Sequence, residues 1–304
     1  MTCRVPHDPP FPARPVLRFA PSPNGELHLG HALSALVAST YARRLGGRFL
    51  LRIEDIDVGR CRPQFITGIL DDLGWLGLDW EEPVLRQSEH FADYRAAAHR
   101  LEAMGLLYPC FATRAEIAAA AARDPGALDP DGAPLYPGLH SRLGSDEIAS
   151  RKAAGQAFAL RIDIDKAIAE ARRRLQGREV AFTEIGPDGT PSLIVARPER
   201  WGDAVIVRKD VPTSYHLAVV FDDARQGVTH VTRGRDLFAA TDIHRLLQVL
   251  LDLPEPLYHH HRLVTDDDGR KLAKSARDTS LRALREAGAT PQDIRRLIGL
   301  GADR

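Results

Sequence analysis

The sequence holds little cysteine, little lysine and no net charge, and each shortage excludes something. Its three cysteines, Cys3, Cys61 and Cys110, are scattered, odd in number and without CxxC spacing. A disulfide framework is thereby excluded, and a reducing, cytoplasmic setting is expected. No run approaches the ~18 consecutive apolar residues of a membrane span, so no membrane partner is expected. The opening MTCRVPHDPPFPARP lacks an apolar stretch and is broken by five prolines, so it does not read as a secretory signal. The 41 Lys and Arg balance the 41 Asp and Glu. A nucleic-acid binder usually shows a basic domain or stripe, so charge alone offers no support for an RNA partner.

What is present is an ordinary globular composition, 44% hydrophobic and 27% charged. A length of 304 residues suits one large α/β domain with an insertion, or two modest domains. Only five of the basic residues are lysine, and two of these, Lys271 and Lys274, share the stretch Lys271-Leu-Ala-Lys274-Ser275 after an Asp-Asp-Asp-Gly turn. Such clustering in a lysine-poor chain points to a local demand for ammonium groups.

Residues 16–20 read as a short apolar strand ended by the turn formers Pro21-Ser-Pro-Asn-Gly25. Residues 29–45 carry helical spacing, with Gly46-Gly47 as a stop, and residues 48–53 read as a second strand. Strand, turn, helix, strand is a βαβ unit, which brings a parallel pair with a right-handed crossover and a Rossmann-like start. Helical patterns follow over 64–76 and 91–105, and the regular alternation is then lost. The expected organisation is a flexible tail over 1–14 and a catalytic domain over 15–107 and 195–278. A mainly helical insertion occupies 108–194, and a short helical segment 279–304. Strands are expected over 204–208, 217–221 and 257–264, and a helix over 240–251.

Between the first strand and its helix lies Pro21-Ser-Pro-Asn-Gly-Glu-Leu-His28-Leu-Gly30-His31. Glycines that admit a ligand to the backbone, a helix N-terminus and two imidazoles suit a nucleotide phosphate. The spacing is neither GxGxxG nor GxxxxGK[ST], which weakens dinucleotide and P-loop readings. Taken alone, the histidine pair fits a structural role as well as a functional one, and the lysine stretch fits a solvated turn.

Together with Arg18-Phe-Ala-Pro-Ser-Pro, the HLGH and KLAKS stretches resemble the two signatures of class I aminoacyl-tRNA synthetases, in particular the glutamyl branch. Arg52-Ile-Glu54-Asp55-Ile-Asp57 resembles that branch's RIEDTD segment, Tyr215-His-Leu-Ala-Val-Val-Phe-Asp-Asp its YNxAVVVDD segment, and Thr232-Arg233-Gly-Arg-Asp-Leu its RG(A/D)DL segment. The motifs run in order from residue 18 to residue 275. A glutamyl-tRNA synthetase carries a large helical anticodon-binding region after its lysine signature, whereas 29 residues follow Ser275 here. A core without that region resembles the glutamyl-queuosine tRNA(Asp) synthetase family.

That resemblance implies a ligase that activates L-glutamate with ATP and Mg2+ in the absence of tRNA. It then esterifies glutamate onto queuosine in the anticodon of tRNA(Asp). The alternatives are a truncated glutamyl-tRNA synthetase charging tRNA(Glu) and a non-catalytic synthetase paralogue. The resemblance implies His28, His31, Lys271 and Lys274 as catalytic residues, and Pro21, Gly30, His28, His31 and Lys274 for ATP. It implies Arg18, Ser22, Glu54, Tyr215 and Arg233 for glutamate, and a monomer is expected. Many members carry zinc on Cys-x-Cys followed by Tyr-x3-Cys. The matching positions here keep Cys110 and Tyr136 but have Ala112 and His140 at two of the cysteine positions, so no metal is expected.

Overall fold

The structure is a computed structural model that describes residues 14–124, 126–264 and 279–301. The first strand, β1 (Val16–Phe19), is buried throughout and pairs in parallel with β2 (Arg48–Ile53). Their near-continuous apolar runs are what a sheet covered on both faces demands. Between them runs α1 (Leu29–Arg44), which packs its alanine and leucine face on the sheet. The return into β2 passes so close that a Cβ on Gly47 would lie 2.6 Å from the carbonyl oxygen of Pro15, and only glycine fits.

The helices α2 (Pro63–Trp75) and α3 (Phe91–Ala103) follow, with β3 (Glu81–Arg86) between them on the outer edge beside β2. On the other side of β1 lie β9 (His230–Gly234) and β10 (Leu257–His261), both parallel to it. The strand order β3-β2-β1-β9-β10 is then extended by β6 (Ala181–Ile185), also parallel to β10, and by β7 (Pro191–Val195), antiparallel to β6. The chain leaves β1 for β2 on one side and returns at β9 on the other. The C-terminal ends of β1 and β9 therefore mark a topological switch point, where an open α/β sheet leaves a crevice for ligands.

A smaller antiparallel sheet is built from β4 (Leu107–Cys110), β5 (Ala159–Ile162) and β8 (Val205–Val207). The same stretch of chain carries α4 (Arg114–Ala121), α5 (Ser145–Ala153) and α6 (Ile164–Arg174). The β6–β7 hairpin, though all but its last residue falls within the 108–194 span, hydrogen-bonds to the main sheet, while β8 beyond that span joins the smaller one. No described helix is long and apolar enough to cross a membrane.

One element differs in kind from its expectation. Residues 217–221, predicted as a central strand, lie inside α7 (Tyr215–Arg225), with the Ser214 side chain capping the Leu217 N–H. A five-residue apolar run has no periodicity that separates a strand from a helix buried on several sides. Here α7 packs against α3 and against α8 (Ala240–Leu251). The strand expected over 204–208 forms but belongs to the smaller sheet, and that over 257–264 ends at His261.

After the undescribed residues 265–278 come α9 (Leu281–Glu286) and α10 (Pro291–Leu297). They bury Leu281, Ile294 and Ile298 against the core beside α1. Ser280 forms a β-bridge with His28, and the Leu281 N–H donates to the Leu27 carbonyl at 2.7 Å.

Candidate active site

A cleft of about 560 Å³ opens at the switch point, between the ends of β1 and β9 and the start of α1. His28 is the N-cap of α1. Its Nδ1 accepts from the Gly30 N–H at 3.1 Å, and His31 Nδ1 accepts from the His28 N–H at 3.3 Å. This is a capping box built from imidazoles in place of the usual hydroxyl and carboxylate. Gly30 makes room for it, since a Cβ there would lie 3.0 Å from His28 Cε1. The two rings stack with centroids 3.9 Å apart. Burial, and next His28, push His31 down to about 3, so it is neutral at physiological pH. With Nδ1 accepting, the proton of that neutral ring sits on Nε2, which makes His31 a donor away from its own helix. Pro21, Gly30, His28 and His31 all line the cleft.

Lys271 and Lys274 lie outside the described residues. Both flanks of their segment are at this cleft: Val264 lines it, and Ser280 bridges to His28.

The deeper end holds Arg18, Glu54, Tyr215 and Arg233. Arg18 is buried in β1, and its Nε and Nη2 donate to the two oxygens of Asp223 at 2.9 and 3.2 Å. Arg52, wholly buried in β2, donates to Asp223 at 2.8 Å and to Glu54 at 3.0 Å. Burial drives the Asp223 carboxyl upward, but Arg18 and Arg52 outweigh it and hold the group below the ordinary range. Glu54 is pushed up by burial, against the opposing pull of Arg52 and Arg18. Burial likewise raises the Tyr215 phenol.

Arg233 has different company. Its Nε donates to His260 Nε2 at 3.1 Å, its Nη1 to His244 Nδ1 at 3.1 Å, and its Nη2 to Thr241 Oγ1 at 2.6 Å. No carboxylate among the described residues pairs with it directly.

A second cavity of about 500 Å³ adjoins the first, and Ser22, Glu54 and Tyr215 line both. Its outer wall comes from the smaller sheet and its loops, including Asp129, Asp131, Tyr136 and Asp203.

The structure thus brings together all the described residues expected for ATP and glutamate. Sequence reasoning left Arg52, Asp223, His216, His244 and His260 without roles at this site. Arg52 and Asp223 lay inside quoted motifs, and their charge and spacing could have suggested an internal pair. The His259-His260-His261 run splits by strand alternation. His260 turns to Arg233, while His261 reaches Ser34 at 3.1 Å.

The residues at the zinc-like position do not fit a metal. His140 Nδ1 already accepts from the Phe111 and Ala112 N–H groups at 3.1 and 3.0 Å. The Tyr136 hydroxyl accepts from Cys110 Sγ at 3.3 Å and from the His140 N–H at 2.9 Å. Cys110 and His140 are only two good ligands where a structural zinc needs four. Among the described residues no group of three or more His, Cys, Asp or Glu could hold a metal.

The family model for the catalytic domain of class I tRNA synthetases (E and Q) matches residues 16–301. The chain belongs to this family. It is a ligase of the aminoacyl-tRNA synthetase type. A glutamyl-Q tRNA(Asp) synthetase of Rhodobacter capsulatus is 50% identical over 294 residues, covering 94% of this chain and 100% of that relative. One of Symbiobacterium thermophilum is 43% identical, covering 91% of this chain and 83% of its own. The crystal structure of an Elizabethkingia meningosepticum glutamate tRNA ligase with its amino acid matches at TM-score 0.70 and 26% identity, covering 88% of this chain and 53% of that one.

Proposed function

We propose that the enzyme joins L-glutamate to ATP as glutamyl-adenylate without tRNA, and then transfers glutamate to queuosine in the anticodon of tRNA(Asp). The observation that carries this reading is the polarity of one cleft. His28, the neutral donor His31 and a helix N-terminus stand at one end, and at the other a buried guanidinium that no carboxylate among the described residues pairs with. The first end suits the ATP phosphates and the second suits a carboxylate of glutamate. The names and coverage of the relatives support the choice of acceptor.

In the activation step an α-carboxylate oxygen of glutamate attacks the α-phosphorus of ATP, and the bond to pyrophosphate breaks. No enzyme nucleophile is needed, so catalysis is positioning and charge stabilisation. His28 and His31, with Pro21 and Gly30, bind the phosphates of Mg2+-ATP. Lys271 and Lys274 steady charge on the departing pyrophosphate. Arg18, Ser22, Glu54, Tyr215 and Arg233 bind glutamate, Glu54 accepting from its ammonium. The adjoining cavity, open to the cleft past Ser22, Glu54 and Tyr215, admits the acceptor hydroxyl. Residues 15–107 and 195–278 thereby serve activation, and the 108–194 insertion lines the acceptor side. The protein acts as a monomer in the cytoplasm.

The test is glutamate-dependent ATP–pyrophosphate exchange without tRNA, followed by transfer to tRNA(Asp) with and without queuosine. Fragment mapping of labelled glutamate distinguishes anticodon from 3′-terminal attachment.

A further inference from the structure

Arg18 and Arg233 line the deep end of the cleft with Arg52 buried behind them, and the partners of the three differ in kind. Arg18 and Arg52 share Asp223, and Arg52 also meets Glu54. Arg233, 5% exposed, is held by His244, His260 and Thr241, all neutral acceptors. Arginine can only donate, which fixes every proton around it. His244 accepts on Nδ1, so its own proton is on Nε2 and goes to His216 Nδ1, 3.2 Å away. His216 in turn keeps its proton on Nε2 and lines the adjoining cavity. On the other side His260 accepts on Nε2 and donates from Nδ1 to Glu184 at 2.8 Å. The carboxylate that Arg233 reaches is thus one imidazole away.

We propose that His244, with His216 behind it, is a specificity-determining positioning residue that selects an acidic amino acid by orienting Arg233 while leaving its charge unpaired by any carboxylate among the described residues. This rests on the glutamate reading above. A buried cation costs free energy until an anion joins it, so the ligand's carboxylate is worth more here than at a guanidinium already paired inside the protein. An amide in its place leaves the charge unmet, and discrimination follows from that penalty. A carboxylate at position 244 would close the site on itself.

Burial, and next Arg233 and His216, hold His244 well below its ordinary value, so it stays a neutral acceptor. The groups that bear on it are Arg233, His216, Arg18 and His260, with the Tyr215 ring 5.5 Å away.

The experiment compares glutamate- and glutamine-dependent ATP–pyrophosphate exchange in the full chain carrying His244→Gln or His244→Glu. A glutamine side chain at 244 accepts from Arg233 and donates to His216, so the preference for glutamate should stay within about threefold of wild type. The Glu variant should raise KM for glutamate at least about tenfold while KM for ATP holds, and the preference should collapse by a similar factor. If His244→Glu does not fold, Thr241→Asp offers Arg233 a carboxylate from the Nη2 side and should give the same shift. A glutamate KM within about twofold of wild type in the folded acidic variant overturns the proposal. So does an equal loss with both amino acids. Were the wild-type enzyme to use aspartate instead of glutamate, the substrate reading would fall. The ratio of acid to amide in the variants would still decide this one.

Discussion

The Asp223 carboxylate lies 2.8 Å from the Arg52 guanidinium, with Arg52 wholly buried, and the same carboxylate takes two hydrogen bonds from Arg18. It is the internal counter-charge that lets two cations sit beneath the cleft. Removing one member of such a buried set costs about 3–5 kcal/mol, because the charges left behind stay unpaired. Asp223→Asn should therefore lower the stability of the fold by that order and abolish glutamate activation. Urea unfolding together with pyrophosphate exchange checks it, and a variant with wild-type stability would show that the network carries no such burden.

His31 is read as a phosphate donor and also as half of the α1 capping box. Those roles separate in magnitude. Loss of the cap costs about 1 kcal/mol of stability, whereas loss of a transition-state donor costs on the order of 10²–10³ in rate. His31→Ala should show a small fall in melting temperature and a large fall in exchange. A variant with the first and without the second would leave His31 a purely structural residue. Lys274→Ala should lose on the order of 3 kcal/mol of transition-state stabilisation with its fold intact.

Much of this site was legible in the sequence because its parts are local. The β1–α1–β2 unit followed from short apolar runs, a turn cluster and helical spacing, and His28, Gly30 and His31 sit where that reading puts them. The Arg18–Asp223 pair was not legible, since its partners are 205 residues apart and only the sheet brings them together. Nor was α7, whose apolar face continues around the helix as Leu217, Ala218, Val219 and Val220 are all buried. The neutral surroundings of Arg233 depend on which of three adjacent histidines faces it. Strand alternation narrows that choice, but only the pairing with β9 fixes it.

The buried histidines make stability fall with acid. His31, His140, His216, His230, His244, His260 and His261 are all depressed below 6.5, chiefly by burial. The unfolded chain takes up protons below about pH 6.5 and the folded chain does not, so stability present above that pH is lost on descent toward about 4. Asp72, raised by burial to about 6, pulls the other way, as do Glu54, Asp131 and Asp222. His31 at about 3 and His216 and His260 at about 4 outweigh the single carboxyl raised to about 6, so urea midpoints should drop between about pH 7 and 5. A flat or rising profile would contradict this balance.

The Cys110–Tyr136–His140 cluster is closed by hydrogen bonds, so metal chelation should leave the melting temperature unchanged and metal analysis should find no stoichiometric zinc. His140→Ala orphans the Phe111 and Ala112 N–H groups. That should cost about 1–3 kcal/mol. One zinc per chain, released by a chelator with loss of stability, would overturn this account of the insertion.

The central claim is that one cleft activates glutamate by itself, before any RNA is bound. Glutamate-dependent ATP–pyrophosphate exchange by the purified chain in the absence of tRNA measures it directly. The likeness to glutamyl-Q tRNA(Asp) synthetases, not the geometry of the cleft alone, predicts exchange that proceeds without tRNA. Exchange that appears only when tRNA is added would contradict it.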